Sequence, residues 1–311
     1  MKIVALAGGV GGAKLAHGFS KIINTDDFSV IVNTGDDFTH FGLTICPDID
    51  TVCYTLSEKS NPVTGWGRNN ESFDVMDALK ELNAPDWFLL GDKDLALHLE
   101  RTRLLWEGQS LTLVTERLRR VLGVHHSILP MTNELVRTFV NTVEHGKIPF
   151  QEYFVKYKYL PKTIGFDFIG IEKAFPSPEV LGKLAESDLV ILCPSNPFVS
   201  INPIISLPGV RNILRGKFIV GVSPIIGGKA VKGPLALMLQ DANLPVEPES
   251  IIKMYDDFLD IFLIDTNDHH HTRTSEIPSS IIISDAEILL TDISKRIHLA
   301  ETIINLYEKY K

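Results

Sequence analysis

"LAGGVGGAKLAHGF", Leu6–Phe19, sets four glycines into five positions directly behind a short apolar run, and how this stretch is read decides the fold. Lys2–Ala7 is that run. Ala13–Ile23 behind the glycines carries Leu15, Phe19 and Ile22 at helical spacing, so the unit reads as strand, loop, helix. Phe28–Val32 is a second β-rich run that ends in "NTGDD", and Ile49–Leu56 has the pattern of the helix after it. Two such units in succession predict a parallel sheet covered on both faces.

Neither standard phosphate motif fits the glycines. Counted from Gly9 and Gly11, the third glycine of G-x-G-x-x-G falls on Lys14, and the P-loop pattern fails because Ala13 precedes Lys14 and Leu15 follows it. The physics of a phosphate bed does not depend on the pattern. Small residues let the backbone approach a diphosphate, a helix N-terminus favours negative charge, and Lys14 adds a point charge. The competing reading, a turn whose glycines only let helix and strand pack closely, calls for fewer than four glycines.

Farther along, Asn61–Asn70 is a loop rich in Gly and Asn, Glu71–Leu82 returns to helical spacing, and Asp92–Leu122 is helical with a break near Gly108. Ser127–Leu129 and Leu135–Val143 read as strands, and Phe150–Tyr159 as an aromatic amphipathic helix. The α/β rhythm then resumes, with strands expected at 167–171, 188–193, 217–222, 258–264 and 280–283 and helices at 178–186, 233–242 and 292–310. The predicted class is α/β: one Rossmann-like domain over 1–311, its mainly parallel sheet flanked by helices on both faces, with a mostly helical insertion at about 60–160.

With 311 residues and 44% hydrophobic content the chain can bury a large core. Its 30 basic and 39 acidic residues give a net charge of -9, which disfavours nucleic acid as a partner. Cys46, Cys53 and Cys193 form no C-x-x-C pair and suit a reducing compartment as ordinary core residues. No apolar run reaches the ~20 residues of a bilayer span, and glycines interrupt the N-terminal run, so a cytoplasmic protein is expected.

In such a sheet ligands bind beyond the carboxyl ends of the strands. That rule selects five loops: Gly8–Lys14, Asn33–Asp37, Leu90–Asp94, Cys193–Phe198 and Ser223–Gly228. Asp36 and Asp37 end the second strand, and Asp48 and Asp50 stand at a helix start, where they could cap it or hold Mg²⁺. Leu89–Gly91 could offer backbone groups to a flat heterocycle, and Asp92 could cap the next helix or touch a ligand. Lys93, His98 and Arg101 read equally well as solvated. "PSNPF" presents Ser195 and Asn196, and "SPIIGGKAVKGP" presents Gly227, Gly228, Lys229 and Lys232. "DHHHT" at 268–272 reads as a solvated loop, and Tyr153, Phe154, Tyr157 and Tyr159 as core or an oligomer contact.

Taken in order, "LAGGVGGAKLAHGF", "VNTGDDF", "CPDIDTV", "LGDKDLALHLER", "SNPF" and "SPIIGGKAVKGP" resemble the 2-phospho-L-lactate transferase family of deazaflavin coenzyme F-420 biosynthesis. The resemblance implies transfer of a phospholactyl group from lactyl-diphospho-guanosine to the terminal ribityl hydroxyl of the deazaflavin Fo, with GMP released and Mg²⁺ required. It assigns Gly8, Gly9, Gly11, Gly12, Lys14, Ser195, Asn196, Gly227 and Gly228 to the nucleotide, and Leu89, Leu90, Gly91 and Asp92 to the deazaflavin. Asp50 is placed at the acceptor hydroxyl or the metal, with Asp36, Asp37 and Asp48 as further metal ligands. Asn133 departs from an expected aspartate. Whether the donor carries lactate, enolpyruvate or glycerate stays open, and a homodimer is expected. Two rival readings are a non-catalytic regulator that binds sugar nucleotides on a related fold, and a nicotinamide-dependent oxidoreductase.

Overall fold

The computed structural model describes residues 1–268 and 277–311, so most of the histidine-rich stretch lies outside the described residues. The chain opens with β1 (Ile3–Ala7), α1 (Gly9–Ile22) and β2 (Phe28–Val32), followed by a hairpin of β3 (Phe38–His40) and β4 (Leu43–Ile45). Four helices come next: α2 (Pro47–Leu56), α3 (Asp74–Glu81), α4 (Asp92–Trp106) and α5 (Leu111–Val121). Strand β5 (Ser127–Pro130) precedes β6 (Arg137–Thr142), β7 (Gly146–Pro149) and β8 (Thr163–Ile169). The second half runs α6 (Pro178–Glu186), β9 (Leu189–Leu192), α7 (Asn202–Ile205), α8 (Val210–Leu214) and β10 (Phe218–Val222). It ends with a small hairpin of β11 (Ile225–Ile226) and β12 (Lys229–Ala230), then α9 (Leu235–Asp241), α10 (Pro248–Ile252), β13 (Ile261–Asp265), β14 (Ile282–Ala286) and α11 (Ile293–Tyr310).

Seven strands form one sheet in the order β14-β13-β10-β9-β1-β2-β5, and every adjacent pair is parallel. All five residues of β1 and of β2 are buried, as both faces are covered. Alternation divides them. Ile3, Ala5, Ala7, Val30 and Val32 face a core built with α1, α2 and α11, whereas Val4, Leu6 and Ile31 face a second core with α6 and α8. From β1 the chain winds outward through β2 and β5, then returns to lay β9 against the other side of β1 and winds the opposite way. That reversal leaves a crevice at the carboxyl ends of β1 and β9, where doubly wound folds bind ligands.

The Rossmann-like α/β class expected from the sequence is the observed one. The glycine stretch differs in detail, because α1 begins at Gly9 and only Gly8 remains as the connection, in extended backbone. Within 60–160, α3 to α5 are helical, but β5 pairs with β2 in the central sheet and β6 lies between β7 and β8 in a separate antiparallel sheet. The expected helix at 150–159 is reduced to one wide turn, Glu152–Lys156, closed by Tyr157 N–H donating to the Glu152 carbonyl at 2.9 Å.

Candidate active site

A cleft of about 590 Å³ opens at the strand-order reversal, lined from one side by Gly8, Gly9, Gly11, Lys14, Ser195 and Asn196. The first-turn amides of α1 have no intrahelical acceptor and bring the positive end of the helix dipole to the cleft. The glycines are also required by the protein itself. A Cβ on Gly8 would lie 2.6 Å from the Ser200 Cβ, one on Gly11 would lie 2.2 Å from the Pro194 carbonyl oxygen, and one on Gly12 would lie 2.6 Å from the Ser195 Oγ. A Cβ on Gly9 would meet only the Asp48 Oδ1, at an ordinary 3.5 Å, but the φ of +62° is one that side chains rarely adopt. The Ser195 hydroxyl donates to the Gly8 carbonyl at 2.7 Å and accepts from the Gly8 N–H at 3.1 Å, tying the ends of β1 and β9 together. Asn196 accepts from the Phe198 N–H at 2.9 Å and so starts the following turn.

Behind the helix start stand buried carboxylates. Asp48, in the first turn of α2, receives the Asn33 amide at 2.9 Å and the Gly9 N–H, yet burial pushes its carboxyl up to about 6. Asp36 faces Asp48, has a buried Oδ1 with no hydrogen-bond partner, and is raised well above its ordinary value by burial and by the Asp48 charge. Both line the cleft. Two dehydrated carboxylates and an unpartnered oxygen are what a small divalent cation would relieve, so the residues present fit Mg²⁺. Asp37 points elsewhere, toward Arg137 and the Cys46 thiol, with burial raising its carboxyl to about 7.

Asp50 is engaged from behind. Arg101, on α4, donates from Nη1 to Asp50 Oδ2 at 3.0 Å and from Nη2 to Oδ1, a two-pronged pair in which both side chains are buried. Burial raises the Asp50 carboxyl against the pull of Arg101 and His98. The Arg101 Nη1 also lies 3.1 Å from His98 Nδ1; since a guanidinium only donates, the imidazole proton belongs on Nε2. That nitrogen stands 3.5 Å from Asp94, which accepts the Tyr54 hydroxyl at 2.5 Å. Burial works against ionisation of Asp94, but the nearby His98 imidazole and the hydrogen bond from Tyr54 hold its carboxyl below the ordinary value. Asp50, Asp94 and His98 bring their donor atoms within 4.8 Å of one another. A cation could be held there, but Arg101 already supplies positive charge to two of the three.

His98 and Arg101, which read equally well as solvated, are each 1% exposed, while Lys93 is exposed as such a reading allows. Sequence reasoning weighed His98 and Arg101 evenly as functional or solvated and did not join them to Asp50 and Asp94, although Asp94, His98 and Arg101 recur at i, i+4 and i+7, one face of a helix. It also passed over Trp66, Trp87 and Gln151, which line the cleft, and set aside Phe154 and Tyr159, which do so as well. Phe154 stacks on Phe150 at 5.6 Å and on Tyr159 at 5.9 Å, forming an aromatic wall of the cleft.

Of the expected deazaflavin contacts, Leu89 lines the cleft. Leu90 is buried with Ile45 and Met76, Gly91 packs on Glu71, and Asp92 accepts the Asp74 and Val75 N–H groups at 3.0 and 3.2 Å, capping α3. Gly227 and Gly228, with φ of +57° and +69°, form the two-residue turn between β11 and β12; the cleft is lined by Val231–Leu235 beyond them. Lys232 of that segment donates to the Thr64 carbonyl at 2.6 Å and so joins two loops over the start of α1. Asn133 accepts from Thr112 N–H and hydroxyl, both at 2.9 Å, so its missing charge concerns the first turn of α5 and not the cleft. Cys46, Cys53 and Cys193 are free, buried thiols.

Residues 3–298 match the family model described as 2-phospho-L-lactate transferase CofD. The chain is 36% identical over 309 residues to a 2-phospho-L-lactate transferase of Methanosarcina acetivorans, covering 98% of this chain and 99% of the relative. It is 38% identical over 319 residues to a phosphoenolpyruvate transferase of Kitasatospora aureofaciens, covering 100% and 99%. Among solved structures it is similar in fold to a UPF0052 family member of Bacillus halodurans, with a TM-score of 0.64 at 14% identity over 97% of this chain and 98% of that one. No described helix is long and apolar enough to cross a membrane. With the model matched from the first strand into the last helix, and with relatives matched end to end, the chain belongs to the 2-phospho-L-lactate transferase family and is a transferase.

Proposed function

We propose that this chain transfers the phospholactyl group of lactyl-diphospho-guanosine to the terminal ribityl hydroxyl of the deazaflavin Fo, releasing GMP, in coenzyme F-420 biosynthesis. The observation that carries the reading is one cleft with two unlike walls. A helix N-terminus with Lys14 and buried acids suits a diphosphate, and an aromatic wall suits a flat ring.

The first turn of α1 and Lys14 hold the nucleotide phosphates. Lys14 suits this work because burial, and the nearby Arg296 and Lys232, lower its pKa: an anion relieves that strain. Phe150, Phe154 and Tyr159 take the ring and leave its ribityl chain directed at Asp50. Asp36 and Asp48 would hold Mg²⁺, which supplies charge neutralisation to the transferring phosphoryl group. Asp50, fixed in orientation by Arg101, accepts the proton of the attacking hydroxyl. The new bond joins that oxygen to the phosphorus bearing lactate, and the bond from this phosphorus to the GMP oxygen breaks.

The test is incubation of purified protein with Fo, Mg²⁺ and, in turn, the lactyl, enolpyruvyl and glyceryl donors, with mass analysis of the deazaflavin. The expected result is a mass gain equal to the phospho-organic acid less one water with the lactyl donor. No gain with any donor, from folded protein, sinks the reading. Lys14→Met should weaken GDP binding by at least about tenfold in calorimetry.

A further inference from the structure

Beside the main cleft lies a side chamber of about 250 Å³, and the two share Asp36 and Gln151 in their walls. Its polar lining includes Arg137 and Thr138 of β6, and Phe38 and Phe139 give it apolar surface. Arg137 donates from Nη1 to the Val136 carbonyl at 2.8 Å, but among the described residues no carboxylate lies within ion-pair distance of it. The Thr138 hydroxyl is buried without a hydrogen-bond partner. Of the acids around the chamber, Glu152 is paired with Lys156 at 3.0 Å, and Asp37 faces Arg137 from beyond ion-pair distance while receiving the Cys46 thiol. A half-buried guanidinium with one carbonyl partner and no close ion pair, beside a dehydrated hydroxyl with no partner, is costly unless something polar joins them.

We infer that this chamber is the subsite for the organic-acid portion of the donor, with the Arg137 guanidinium and the Thr138 hydroxyl binding its carboxylate. The inference rests on the donor reading above and deepens it. If the reacting phosphorus lies by Asp36, the nucleoside runs back toward α1, and the phosphorus's remaining substituent is directed across Asp36 to the chamber. The relatives are named for groups derived from phospholactate and from phosphoenolpyruvate, two acids that share three carbons and a carboxylate. Arg137 recognises what they share. Phe38 and Phe139 meet the methyl or methylene carbon by which they differ.

Calorimetry with three ligands in the presence of Mg²⁺ tests this: GDP, lactyl-diphospho-guanosine, and ethyl-diphospho-guanosine, which lacks the carboxylate. The wild-type chain should bind the lactyl compound at least about tenfold more tightly than the ethyl compound. Arg137→Gln should bring the two within about twofold while leaving the GDP Kd unchanged, and Arg137→Lys should keep part of the preference. Should Arg137→Gln not fold, Thr138→Val should reduce the preference by a few fold. A wild-type chain that binds both compounds equally overturns the inference, as does an Arg137→Gln variant that loses affinity for all three ligands alike. A chain that binds none of the three refutes the donor reading itself and the inference with it, which separates the two failures.

Discussion

The Asp50 carboxylate has the Arg101 guanidinium behind it and the cleft before it, and this double engagement governs what substitutions there report. Asp50→Ala strands a buried guanidinium, which costs about 3–5 kcal/mol for a broken buried pair, so lost activity in that variant mixes folding with chemistry. Asp50→Asn keeps the volume and one acceptor. It should lose only about 1–3 kcal/mol in urea unfolding, bind GDP within about twofold of wild type, and slow transfer by at least about a hundredfold, as loss of a general base does. An equal loss of GDP affinity would place Asp50 on the nucleotide side instead. The sequence made Asp50 visible through "CPDID", but not its partner. Arg101 is 51 positions away on another helix, and a polar face resembles a solvated one until the opposing element is known.

The β1–α1 unit was legible because a strand buried on both faces leaves an unbroken apolar run and α1 has strong helical periodicity. Its junction was less so: glycines read as loop, yet they form the first helical turn. The reason is packing from outside. The end of β9 presses the Pro194 carbonyl onto Gly11, which only a residue without Cβ accommodates. Gly11→Ala should therefore cost about 1–3 kcal/mol of stability through overpacking, read from the urea midpoint. If Gly11→Ala is as stable as wild type and loses only nucleotide affinity, the glycine serves the ligand alone. The hairpins β3–β4 and β11–β12 were missed because strands of two or three residues are too short to show alternation. Gln151 and the aromatic wall were missed because their turn packs against distant elements, and its residues read as ordinary core.

Across the whole molecule, the expected parallel sheet pointed to the cleft in advance, since the carboxyl ends of its strands are where such folds bind. The aromatic wall follows no comparable rule, and its place had to come from packing. The same packing buries Asp36, Asp37 and Asp48 together, and this sets how stability depends on pH. Burial raises these carboxyls in the folded state, Asp48 to about 6 and Asp37 to about 7, against about 3.9 for aspartate in an unfolded chain. Between those values the folded chain binds more protons than the unfolded one, so stability is fully present below about pH 4 from these groups and is lost as pH rises toward about 7. Carboxylates with lowered pKa values, such as Asp92 and Glu134, act in the opposite sense at more acid pH, and so do His17, which burial lowers to about 4, and His40, also lowered by burial, up to the ordinary imidazole range near 6.5, so the window from about pH 6.5 to 8 isolates the effect. In EDTA the melting temperature should fall across that window. Mg²⁺, on the proposal that the ionised Asp36–Asp48 pair holds it, should raise it at about pH 8 and leave it unchanged near pH 5. Asp48→Asn should flatten the fall and remove most of the Mg²⁺ shift. A melting temperature that climbs steadily to pH 8 in EDTA would mean that these acids ionise without cost, and the case for a cation between Asp36 and Asp48 would go with it.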